Sequence, residues 1–185
     1  VSETLTPNAR ALLDAGKKLI LISKSGAIPP GLKKNSRAFK IDIRKKAALK
    51  KLPGPIDAVF HTAIHNPPKP ETETDARLLL RENVCFSLDL WHWCGAYRAR
   101  FLYASSAATY GDGAQGFDDD GSCRALARLR PLNPYGRSKL LFDRRVARMV
   151  ERGRPTPPQW AGLRFFNLYG PNEYHKGPQR SVVAQ

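Results

Sequence analysis

The sequence predicts an α/β fold built on a parallel sheet, and three observations carry that expectation. Short apolar runs at 19–22, 56–60 and 101–103 alternate with segments of helical periodicity, the pattern of strand–helix units. The run at 101–103 passes directly into small residues ending in Ser105 and Ser106, as a buried strand does when its C-terminal edge presents a site. Tyr135 and Lys139 stand four residues apart, and LLFDRRVARMV continues with helical spacing, so both side chains share one helix face.

Taken in order, residues 1–16 read as a helix ending at Gly16, where a left-handed cap suits glycine. A buried strand follows at 19–22, then the loop AIPPGLKKN, a short strand at 39–43 and a basic helix at 44–52 stopped by Pro53 and Pro55. A strand at 56–61 leads into the proline-rich loop HNPPKPETETD. Residues 76–97 form one long helical pattern carrying Leu78, Leu79, Val84, Leu88, Leu90 and Trp91. The strand at 101–106, a polar loop containing Asp118, Asp119 and Asp120, the helix at 135–152 and a strand at 160–167 complete the reading.

Composition narrows the function classes. Hydrophobic content of 42% over 185 residues is that of a globular chain with a real core. No apolar run reaches the length needed to cross a bilayer, and no signal peptide is visible. Cys85, Cys94 and Cys123 form neither a metal nor a disulfide spacing, and Cys85 and Cys94, in one helical pattern, read as reduced packing residues of a cytoplasmic protein. No metal spacing links the histidines. The net charge of +15 could attract nucleic acid, a membrane surface or a phosphate-rich cofactor and substrate. The basic residues are scattered without interleaved aromatics, so specific nucleic-acid binding is not expected. His61 reads as a hydrogen-bonded spacer at a strand end, and Trp91, Trp93 and Trp160 as packing residues.

The Ser106, Tyr135 and Lys139 spacing has a chemical reason. A free phenol titrates near pH 10 and is a poor base at neutrality. An ammonium one helical turn away is expected to favour the phenolate. A serine hydroxyl at the strand tip can hold the substrate oxygen whose proton Tyr135 takes or gives.

FLYASSAATYG, PLNPYGRSKLLFD, Glu82-Asn83-Val84 and GLRFFNLYGPNEYHKG together resemble the extended short-chain dehydrogenase/reductases, and within them the heptose epimerases, which NLYGPNEYHKG favours. The resemblance implies a Rossmann-like, doubly wound parallel sheet over residues 1–170 that binds NADP (NAD being the alternative), with 171–185 opening a substrate domain. Tyr135 would be one catalytic acid/base, Lys139 would hold the nicotinamide ribose, and Ser106 would bond the reacting oxygen. Lys176 matches a second acid/base on the opposite face of an ADP-sugar substrate, which Asn167 would also contact. Thr62, Ala63, Ile64, Asn83 and His175 would line the cofactor. The resemblance also implies a homo-oligomer for the full-length protein.

The chain departs from that family in three places. The first strand and its glycine-rich turn are missing, since VSETLTPNA contains no glycine, and both ends are expected to be incomplete. Ser23 and Lys24 stand where an acidic residue commonly reads the ribose, which favours the 2′-phosphate of NADP. Pro178 and Tyr174 replace family residues in the substrate region. Another nucleotide-sugar epimerase or dehydratase, or a non-catalytic Rossmann remnant, therefore stays open as an alternative. Ala107 and Ala108 before Thr109 lack the acidic pair that dehydration needs.

Overall fold

A computed structural model describes residues 6–23, 28, 32, 35–42, 45–52, 54–62 and 75–167. They fall into two compact units, one running up to Lys51 and the other spanning Leu52–Phe166. In the first, α1 (Thr6–Asp14) precedes β1 (Leu19–Ser23), β2 (Ser36–Lys40) and the short α2 (Lys46–Leu49). β1 and β2 pair in parallel with Leu19 opposite Ser36. Ala9, Leu32, Ile41 and Leu49 are buried here. The observed β2 begins three residues before the expected 39–43, and Ile41 is buried beyond its end rather than within it.

The second unit carries β3 (Ala58–His61), α3 (Ala76–Leu79), α4 (Phe86–Ala96), β4 (Arg100–Ser106), α5 (Cys123–Arg128), α6 (Pro134–Glu151) and β5 (Trp160–Phe165). Its sheet has the order β3-β4-β5, every pair parallel, with His61 opposite Tyr103 and Tyr103 opposite Gly162. Both sheets are therefore parallel, as strand–helix alternation requires. The expected domain boundary near residue 170 lies outside the described residues.

One face of β3-β4-β5 is covered by helices. Phe101 meets Trp91 of α4 edge-on at 5.8 Å, and Tyr103 meets Phe142 of α6 at 4.8 Å. Trp91 also packs against Trp160 of β5 at 5.4 Å, so the tryptophans form packing contacts as expected. Strand alternation places Phe101, Tyr103 and Ser105 together, and all three are buried.

Two local features were not legible in the spacing. The expected helix at 76–97 is continuous but contains a π-helical turn, Leu80–Cys85, which joins α3 to α4. The wider turn changes the phase of the buried positions, placing Asn83 and Val84 inside together with Leu79 before and Phe86 after. Within the expected polar loop, α5 forms because the Ser122 hydroxyl accepts from the amide of Ala125 at 3.1 Å and Leu126 is buried.

Candidate active site

The site starts where β4 ends. Ser106 is the last residue of the strand and the cap of a 3-10 turn, Ala107–Tyr110. Its hydroxyl accepts from the Ala108 amide at 3.2 Å, and its carbonyl accepts from the Thr109 hydroxyl at 2.8 Å. The strand tip is thus fixed by its own side chain and backbone.

The N-terminus of α6 is brought to this turn by PLNPYG. The Asn133 side chain accepts from the Gly136 amide at 2.8 Å, and Pro134 takes the first helical position, where its missing N–H costs nothing. Gly136 permits the approach: a Cβ there would lie 2.6 Å from the Ala108 carbonyl oxygen. Tyr135 is consequently packed beside the strand tip and buried, near the Ser106 hydroxyl. Burial raises the Tyr135 pKa, and the Ser106 hydroxyl, which favours the phenolate, opposes that rise.

Lys139 lies one turn further along α6, buried, with its ammonium donating to the Ala104 carbonyl. Burial depresses its pKa to about 8, and the Asp143 carboxylate pulls it back up. The Tyr135 pKa is raised overall, where a lowering was expected, because burial is the largest cause; the Lys139 ammonium donates to a backbone oxygen of β4.

Asn83 donates to the Ser138 hydroxyl at 3.1 Å, which donates to the Tyr135 carbonyl at 2.7 Å. The π-helical turn therefore reaches the first turn of α6 through two hydrogen bonds. His61, at the end of β3, shares a 2.8 Å hydrogen bond with Ser87 and lies edge-on to Phe86 at 5.3 Å. Burial first, and the Lys139 cation second, lower its pKa to about 3, so it is neutral and serves as the expected hydrogen-bonded spacer. The loop of Asp118 to Asp120 is pinned rather than loose. The Tyr110 hydroxyl donates to the Asp118 carbonyl at 2.9 Å, and Arg164 of β5 donates to the same oxygen at 3.3 Å.

The structure thus brings Ser106, Tyr135, Lys139 and Asn83 together. Thr62 follows β3 and is half-buried, Asn167 follows Phe166 and is exposed, and Ser23 is the last residue of β1. Lys24, Ala63, Ile64, His175 and Lys176 lie outside the described residues. Asp143 was missed by the sequence reading. It is buried, accepts from Tyr103 at 3.0 Å and Ser105 at 2.8 Å, and lies 3.6 Å from Arg164. An acid four residues after Lys139, flanked by Phe142 and Val146 of the buried face, was the available signal.

Such an arrangement can move a proton. A phenol shielded from water beside a strand-tip hydroxyl is placed to exchange a proton with a substrate oxygen at that tip. The buried ammonium also suits a nicotinamide ribose, because one of its three protons is committed to Ala104 and the others can meet hydroxyl oxygens.

Comparison with known proteins gives the family. The chain is 44% identical over 128 residues to an ADP-L-glycero-D-manno-heptose-6-epimerase of Fusobacterium nucleatum, covering 69% of this chain and 36% of that protein. It is 48% identical over 134 residues to an enzyme of the same name from Nitratidesulfovibrio vulgaris, covering 72% and 38%. The chain thus spans well under half the length of these relatives. Among solved structures, the ADP-L-glycero-D-manno-heptose-6-epimerase of Helicobacter pylori superposes with a TM-score of 0.74 at 25% identity, covering 96% of this chain and 56% of that one. MoeE5 in complex with UDP-glucuronic acid and NAD superposes at 0.65 with 27% identity, covering 90% and 52%. A family model for the NAD dependent epimerase/dehydratase family matches residues 8–185, and the chain belongs to that family.

Proposed function

We propose that this chain carries the proton-transferring, cofactor-binding part of an enzyme that inverts C6 of ADP-glycero-manno-heptose in lipopolysaccharide core precursor synthesis. The observation that carries the reading is the buried Tyr135 phenol beside Ser106 at the tip of a parallel strand, together with relatives of that name at 44–48% identity.

Ser106 orients the C6 hydroxyl, and Tyr135 takes its proton as the carbon is oxidised. Lys176, which matches the family's second acid/base, handles the proton on the opposite face of the sugar, so that one carbon meets two acid/base groups. Nicotinamide supplies reversible hydride acceptance and emerges unchanged, which makes the net reaction an isomerisation. Lys139 holds the ribose; Thr62, Ala63, Ile64, Asn83 and His175 line the cofactor, and Asn167 contacts the sugar nucleotide. Ser23 and Lys24, in place of a carboxylate, favour NADP over NAD.

The test is direct. Supplied with NADP and ADP-glycero-manno-heptose, the full-length protein containing this chain is expected to interconvert the two C6 epimers, followed by proton NMR of the heptose. No interconversion with cofactor bound would overturn the proposal. A second reading, another nucleotide-sugar epimerase, is favoured by Tyr174 and Pro178 in the substrate region, and turnover of a different sugar nucleotide in the same assay would select it.

A further inference from the structure

Three successive residues of β4 are tied to two side chains of α6. Tyr103 and Ser105 donate to the two oxygens of Asp143 at 3.0 and 2.8 Å, and the carbonyl of Ala104 between them accepts from Lys139. The next residue of β4 is Ser106, and one turn before Lys139 is Tyr135. The ties therefore set the register of α6 against the strand immediately before the point where Tyr135 meets Ser106. Gly162 of β5 leaves room for this, because a Cβ there would run into the Tyr103 ring and hydroxyl.

The charges are as specific as the hydrogen bonds. Lys139 and Asp143 face the region from α6, Arg164 from β5 at 3.6 Å from the carboxylate, and Tyr103 from β4. His61 faces Lys139 from β3 and is neutral, while Tyr110 of the 3-10 turn touches Arg164 at 3.1 Å. The Asp143 carboxylate is ion-paired with Arg164 and acts electrostatically on Lys139, the more deeply buried of the two cations. A buried ammonium without a counter-charge tends to lose its proton.

We propose that Asp143 is the positioning residue of the Tyr135–Ser106 pair: it fastens α6 to β4 and acts as the counter-charge that keeps Lys139 an ammonium. The assignment rests on Tyr135 and Ser106 being the reacting pair. Burial already holds the Lys139 pKa down at about 8 with Asp143 in place, so removing the carboxylate is expected to move its loss of charge toward neutral pH. A role confined to packing would leave that titration where it is.

The experiment follows the Lys139 side-chain carbon by NMR in the folded chain as pH is varied. In Asp143→Asn, which keeps the size of the side chain, the midpoint is expected to fall by about one pH unit or more, and Asp143→Glu is expected to restore most of it. Burial also raises the Asp143 pKa above the usual carboxylate range, so the unmutated protein should show a second, acid inflection at Lys139 as Asp143 takes its proton. An unchanged midpoint in Asp143→Asn overturns the assignment. If that variant does not fold, the unmutated trace decides, and a single inflection overturns it. The titration needs no substrate, so it can fail in an active epimerase and succeed in an inactive chain.

Discussion

At the scale of residues, the site is governed by which polar groups are shielded from water. Tyr135, Lys139, Asp143 and His61 are all buried, and burial is the largest cause of the pKa shift in each. His61 gives a clean consequence. Unfolded, it takes a proton near pH 6.5, and folded, near pH 3. Below 6.5 the unfolded state binds more protons, so stability falls as the pH drops through this window. Between pH 7 and 4 the loss from this one group is about 3 kcal/mol. Urea unfolding should show that slope in the unmutated protein and a shallower one in His61→Gln. Parallel curves would contradict the assignment; Asp143, whose raised pKa acts in the opposite sense, is common to both proteins and cancels in the comparison.

At the scale of elements, the contact between α6 and the 3-10 turn decides whether Tyr135 reaches Ser106. Gly136→Ala should gain about 1 kcal/mol of helix propensity. It also places a methyl 2.6 Å from the Ala108 carbonyl oxygen, an overpacking that costs about 1–3 kcal/mol. The variant is expected to melt at a lower temperature with a weakened Tyr135–Ser106 contact, and a raised melting temperature would contradict the packing described. These elements differ in how far their sequences announce them. α6 and β4 were legible, because one has helical apolar spacing and a proline start and the other an apolar run ending in serines. The π-helical turn was not, since its extra residue breaks the period on which the reading relies. α5 buries only Leu126 and has too few residues for a periodic signal. β2 was read three residues late because Ile41 and Ile43 drew the strand toward themselves, whereas pairing with β1 sets the register from Ser36. Asp143 escaped notice because its partners come from β4 and β5, and only the fold brings them to α6.

At the scale of the whole molecule, family and parallel architecture agree. No helix among the described residues is long and apolar enough to cross a membrane. The net charge of +15 suits a phosphate-rich cofactor and a sugar nucleotide. The central claim is that the Tyr135 phenol moves the substrate proton. It is tested most directly by the rate of C6 inversion of ADP-glycero-manno-heptose in Tyr135→Phe against the unmutated protein, both saturated with NADP. The account predicts a fall of about 10²–10⁴-fold with the fold intact by circular dichroism; an unchanged rate would contradict it.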